Sequence, residues 1–446
     1  MFGFGKPGRA GLRAAFLVGA IVAAFGVGGV NVGTASAACG AGITTNIHGE
    51  GASLQKVAQE IWTGQNGSTG FRALCEAEGG TAEVTYEPSG SGAGLHAWGA
   101  DDAATFKTGD HFVSTDDAPN AGQITNVNTS LNNATGKAGD IVVVPVAQTA
   151  IAIPILPPTG CTLSGDKITN HELLSIWTGT LIDWDELHFA EGECNKPIVR
   201  VVRSDGSGTT YQFKNYLNLI AEGALVPCTP EATMTWKALQ TNDTTKGENN
   251  PNLLWPEEKF CATPEEKAAI SKSALVKAKG GSGVVAAVNA ASMATEGRIG
   301  YAALADAMNG GSLVAQLQNN GLGVDPLEEG NEATFASPVD PELPESSNCV
   351  EVNYSNLPVG TINQDWSEVY GANDSVEQEK YPLCTLTFAL AAVEESEIFS
   401  PGVKATVEQY LLHIISQGQA EVAMSWYSPL PAAVATKAKE AIEKIK

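Results

Sequence analysis

The residues of this chain best suited to chemistry are small hydroxyls set among glycines, each just ahead of a helix-like stretch. "DGSGTT" (205–210) precedes "YQFKNYL", "GEGAS" (49–53) precedes "LQKVAQEIW", and "SGSGAG" (89–94) precedes "LHAW". In each, glycine lets backbone amides approach a partner closely, and a Ser or Thr stands at or near the first helical turn. Helix N-termini carry unpaired N–H groups and partial positive charge, so three converging on one point make an oxyanion receptor. Taken singly, each stretch reads equally well as a helix cap and a turn. Arg203 lies directly ahead of the third stretch. It and Asp205 either hold the guanidinium ready for two-pronged contact with an anion or form an ordinary surface pair.

A fourth stretch, "FVSTDDAPN" (112–120), brings in Asp116 and Asp117. These either open a turn, helped by Pro119, or supply an acceptor. A carboxylate that can only accept bonds an oxyanion carrying its own proton and repels one that carries none.

The elements that must position these residues alternate. "LQKVAQEIW" (54–62) and "YQFKNYLNLI" (211–220) read as helices, while "AEVTYE" (82–87), "IVVVPVA" (141–147) and "PIVRVVR" (197–203) read as strands. The recurring order of strand, glycine-rich turn and helix predicts an α/β architecture. Two segments rich in Pro, Asn, Asp and Glu, 229–260 and 324–358, read as insertions tethered by nearby cysteines. The C-terminal stretch 401–446 reads as two helices parted by a turn containing proline.

The first 37 residues place Lys6, Arg9 and Arg13 ahead of an apolar run from Ala14 to Val30, followed by "ASA" at 35–37. That is the layout of a secretory signal peptide. Cleavage after Ala37 removes these three basic residues and no acid, taking the formal charge from -24 to -27. Such a surface repels nucleic acid and anionic lipid and draws in no small anion from a distance, so an anion site here must work locally.

The eight cysteines, Cys39, Cys75, Cys161, Cys194, Cys228, Cys261, Cys349 and Cys384, contain no C-x-x-C pair. An even set in an exported chain favours disulfides over zinc. Consecutive pairing closes four loops of similar size, each bridge contributing roughly 3–4 kcal/mol in the chain-entropy model. A rival reading of "SAAC" makes Cys39 a lipid anchor, although Ser36 stands where a larger aliphatic is expected and lipidation leaves an odd thiol.

At the four glycine, serine and aspartate stretches the chain resembles the phosphate-binding proteins of bacterial phosphate ABC importers, the PstS type. "RSDGSGTTYQF" carries most of the likeness, with "GEGAS", "SGSGAG" and "STDDAP" in the expected order. Further similarity lies in "LLSIWTGTLIDWDEL" (173–187), "GRIGYAALA" (297–305) and "YPLCTLTFALA" (381–391). The resemblance implies a two-lobed fold of the periplasmic-binding-protein type (type II), hinged by two crossing strands near 142–147 and 381–388. One lobe spans 38–146 plus 382–446 and the other 147–381.

It further implies that Ser53, Ser91, Arg203, Ser207, Gly208 and Thr209 donate to phosphate. The Leu54 amide adds a further donor, Asp117 accepts the phosphate proton, and Asp205 braces Arg203. The implied protein is a monomeric, exported, non-enzymatic carrier without a cofactor, which hands hydrogen phosphate to a membrane permease and does not bind nucleic acid. Departures are Leu54 in place of an aromatic, Ser53 in place of threonine, a "GGSGVVAAV" stretch (280–288) poor in polar residues, and the two insertions.

Other function classes have less behind them. A phosphatase needs a nucleophile with a base or metal ions; the chain has no G-x-S-x-G elbow, no H-E-x-x-H and only six scattered histidines. A surface adhesion protein whose insertions carry the function, or a binder of sulfate or molybdate, is the remaining alternative.

Overall fold

The computed structural model of the chain describes residues 39–221, 253–255, 275–327, 349, 357–369 and 380–446, with positions 66, 68, 165, 166, 293, 320, 321 and 368 excepted. The signal-like segment 1–37, most of both insertions, and Cys228 and Cys261 lie outside these residues. Among the described residues no helix is long and apolar enough to cross a membrane.

Two sheets organise the fold. The first has six strands in the order 302–303, 141–152, 384–392, 112–115, 47–51, 84–87. The three strands 84–87, 47–51 and 112–115 run parallel, and 384–392 runs antiparallel to both of its neighbours. The second has five strands in the order 313–314, 154–156, 297–300, 198–203, 275–278. Helices separate successive parallel strands, as parallel pairing demands.

The chain passes from the first sheet to the second at Ile153, adds the short strand 302–303 to the edge of the first, and rejoins the first at Cys384. The strand Ile141–Ala152, buried along its whole length, pairs with Cys384–Ala392 up to Ala150. The first crossing thus falls a few residues beyond the 142–147 stretch expected from sequence, because the β-branched run of Val142–Val144 continues as a strand well past Ala147.

Pro145 sits inside this central strand. Proline has no N–H to give to the ladder, and the pairing register slips there: Thr387 faces Ala147 while Phe388 faces Pro145. Val146 is the extra residue, so the irregularity lies in the proline's own strand, opposite Thr387 and Phe388.

Each sheet carries its own apolar core. Against the first, Phe71 and Phe112 pack their rings on Tyr410 at 5.4 and 5.7 Å, with Trp62 fully buried nearby. Against the second, Trp177, Phe213, Trp255 and Tyr301 form one aromatic cluster, with Phe213 stacked on Tyr301 at 4.7 Å. Each such buried ring contributes about 1.5–3 kcal/mol.

Disulfides join Cys39 to Cys75, Cys161 to Cys194 and Cys349 to Cys384, the consecutive pairing. The first corrects the lipid reading of Cys39, whose sulfur is already committed to Cys75. The C-terminal stretch holds three helices, Pro401–Ile415, Gln417–Ala423 and Ala432–Ile442, rather than two. The extra break comes at Ser416, where the backbone leaves helical geometry at φ -116°, ψ -97°.

Candidate functional site

Arg203 ends the strand Ile198–Arg203. The chain bends at Ser204 and Asp205, which brings the Asp205 carboxylate back onto Arg203. Its Nε donates to Asp205 Oδ1 at 2.8 Å, and a second guanidinium nitrogen donates to Asp205 Oδ2. The Gly280 amide also donates to Asp205 Oδ1, at 3.1 Å. Burial works against the Asp205 charge, but these bonds outweigh it and hold the carboxyl below its ordinary range. The Tyr301 hydroxyl, fixed in the aromatic cluster, receives the Arg203 N–H at 3.3 Å and shares a 2.7 Å bond with Thr210.

Ser207 caps the helix Gly208–Ile220, its Oγ accepting from the Thr210 amide. Gly208 follows, and a side chain there would strike the first sheet's turns: an added Cβ would lie 2.7 Å from Ser91 Oγ and 2.6 Å from the Asp117 nitrogen. Only glycine permits this close approach of the two halves.

From the first sheet's side come Ser91, opening the helix Ser91–Ala97, and the pair that follows strand Phe112–Thr115. The carboxylate hydrogen-bonded to hydroxyls of both halves is Asp116's, whereas Asp117 faces Lys214 of the helix Gly208–Ile220. Asp116 Oδ2 accepts from Ser91 Oγ at 3.4 Å and from Thr209 Oγ1 at 3.1 Å, and Oδ1 accepts from Thr387 Oγ1 at 2.8 Å. The backbone of Asp116 is tied in as well, its N–H donating to Ser91 Oγ and its carbonyl accepting from Gln212 Nε2.

Thr115 sets this choice, since its Oγ1 receives the Asp117 N–H and donates to the Asp117 carbonyl. Asp117 is buried where its electrostatic partner is Lys214. Thr387 escaped the sequence reading; the only nearby signal is Pro145, a proline inside a strand and so a mark of a bulge in that strand, which here falls opposite Thr387 and Phe388.

Ser53 opens the 3-10 turn Ser53–Gln55. Its Oγ is buried without a hydrogen-bond partner and its Cβ lies 3.9 Å from where a Cβ of Gly280 would be. Leu54 is buried beside it, its carbonyl accepting from Tyr427 Oη at 2.6 Å. Ser91, Arg203, Ser207, Gly208 and Thr209 thus gather around Asp116 and Asp205, with Ser53 reaching them through the Gly280 turn.

Burial dominates the electrostatics. It pushes Asp116 up to about 6, despite help from Thr387, Arg203, Thr209 and Ser91, and Asp117 up to about 7, with Lys214 partly offsetting it. Burial raises Asp306 to about 7 and lowers Lys214 to about 7.

The three carboxyls, raised from 3.8, give stability that is full below about pH 4 and lost as pH climbs through 6 to 7. Lys214, lowered from 10.5, gives stability that is full above about pH 10 and lost as pH falls toward 7. Ligand-free protein is therefore expected to melt lower near pH 7 than at pH 5 or pH 9; a melting temperature that peaks at neutrality would contradict these assignments.

The chain's likeness to known proteins extends along most of its length. The model of the PBP superfamily domain matches residues 40–404. The high-affinity periplasmic phosphate-binding protein PfluDING, solved with phosphate, is 20% identical with a TM-score of 0.55, over 88% of this chain and 92% of that one. A phosphate-binding protein of Stenotrophomonas maltophilia is 17% identical with a TM-score of 0.53, over 89% and 93%. A human phosphate-binding apolipoprotein is 21% identical with a TM-score of 0.52, over 87% and 92%. No curated protein sequence matches the chain. The family match spans well over half of the residues and agrees with the two-sheet topology, so the chain belongs to the PBP superfamily.

Proposed function

We propose that the protein is an exported, non-enzymatic phosphate receptor that closes its two lobes on the anion and delivers it to the membrane permease of an ABC importer. The observation that carries this reading is Asp116, a buried carboxylate bonded to a hydroxyl from each half and beside the buried Arg203. A guanidinium with hydroxyl and amide donors suits any tetrahedral oxyanion; a carboxylate among them suits only one that brings a proton. At neutral pH phosphate does so and sulfate does not.

Ser53, Leu54 through its amide, Ser91, Arg203, Ser207, Gly208 and Thr209 are the proposed donors, Asp205 is the brace of Arg203, and Asp116 takes the acceptor role that sequence assigned to Asp117. Structural relatives described as phosphate-binding proteins support the ligand. Three disulfides support an oxidising compartment, and the proposed working form is a monomer.

Titration calorimetry of residues 38–446, stripped of ligand by partial unfolding and refolded, is expected to give one-to-one phosphate binding and no sulfate heat. Equal binding of both anions would remove phosphate selectivity from the reading, and silence toward both from folded protein would remove the anion site.

A further inference from the structure

Asp306, in the short helix Leu304–Asn309, was not among the residues singled out from sequence. It is 94% buried (6% exposed), and its Oδ2 has no hydrogen-bond partner. A carboxylate oxygen left so is costly, typically about 1–3 kcal/mol or more, unless something else occupies its lone pairs.

Its surroundings say where it points. A Cβ on Gly281 would lie 2.1 Å from Asp306 Oδ2, so the carboxylate rests against the first turn of the helix Gly280–Asn289. The same turn gives its Gly280 amide to Asp205, the brace of Arg203, and stands beside Ser53, whose Oγ is also buried and unpartnered. The charged groups that act on Asp306 are Arg203 and Lys56, which favour its ionised form, and Glu60 and Asp116, which oppose it; Tyr427 is the neighbouring phenol. Two orphaned polar atoms, Asp306 Oδ2 that only accepts and Ser53 Oγ that is able to donate, thus belong to residues packed against the turn whose Gly280 amide holds Asp205, the brace of Arg203. The bareness of "GGSG" follows: a side chain at 281 would displace the carboxylate.

Resting on the phosphate reading above, we propose that Asp306 is a specificity-determining residue of the anion site, a second acceptor that makes the closed complex hold two protons between ligand and carboxyls. Asp116 takes the one proton of hydrogen phosphate. Asp306 faces a bare anionic oxygen unless the ligand enters as dihydrogen phosphate or the carboxyl is itself protonated. Both routes carry the same proton count, so binding above neutral pH draws one proton from solution. Affinity for total phosphate then falls about tenfold per pH unit between pH 8 and 9.

The experiment is phosphate titration of the mature chain at pH 8 in buffers of different ionisation heat, which reads protons taken up per phosphate bound, repeated with Asp306→Asn. About one proton is expected for the wild type. Close to none is expected for the variant, whose amide can donate to the bare oxygen, and its affinity should stay level from pH 8 to 9.

Phosphate binding by the wild type without proton uptake overturns the proposal while leaving the phosphate reading intact. Uptake that persists unchanged in Asp306→Asn also overturns it and assigns the proton elsewhere, with Asp117 and Lys214 the nearest other groups. Folded wild-type protein that binds no phosphate overturns both. The wild-type measurement stands by itself if the variant fails to fold.

Discussion

Replacing Arg203 with Ala is expected to abolish measurable phosphate binding and to lower the melting temperature together. The guanidinium sits at the end of a fully buried strand with its side chain 1% exposed, and Asp205, its partner, is itself 11% exposed. Charge-assisted bonds of this kind are worth about 1.5–3 kcal/mol each, so losing two to the ligand weakens binding by more than about a hundredfold. The unliganded chain suffers as well, because Asp205 keeps its charge and burial without a counterion, a defect that typically costs about 3–5 kcal/mol. Arg203→Lys restores charge but not the planar fork, and should recover stability in part and binding hardly at all. Calorimetry and thermal melts on the three proteins decide this. Wild-type affinity in Arg203→Ala would mean that the anion does not bind at this end of the strand.

The second large effect separates two neighbouring acids. Asp116→Asn turns an acceptor into a group that also donates, so an oxyanion without a proton is no longer repelled. Phosphate binding should weaken about tenfold while sulfate binding appears, and the preference between them should drop by at least about a hundredfold, the size of a lost bond to a charged group. Asp117→Asn should leave that preference alone and act on stability instead. It removes the buried counter-charge of Lys214, which favours the ammonium against the burial that already lowers its pKa. Competition of the two anions on each variant reads the difference. Loss of discrimination in Asp117→Asn with full discrimination in Asp116→Asn would return the role to the residue that sequence alone suggested.

Sequence by itself determined the parts whose chemistry is local. A strand ending at Arg203 and followed by a bend lets Asp205 reach back to the guanidinium, and the next helix starts on Ser207 because a hydroxyl there satisfies the Thr210 amide. Glycines 90 and 208 leave room for backbone to meet backbone. The even count of cysteines pointed to disulfides, but which partners join, Cys39 with Cys75, Cys161 with Cys194 and Cys349 with Cys384, came from the tertiary structure.

Tertiary structure decided the rest. Asp116 and Asp117 are equivalent in composition, and only the Thr115 turn and the hydroxyls of Ser91, Thr209 and Thr387 distinguish the one that takes the hydroxyl bonds from the one set against Lys214. Thr387 lies 271 residues from Asp116 and reaches it through a register shift opposite Pro145. Asp306 arrives on a short helix with no motif of its own and acquires its meaning from the bare glycine turn it packs against. Local chain chemistry selects strands, caps and turns, whereas the direction of a buried side chain, and so its protonation and its partner, depends on which distant elements close over it.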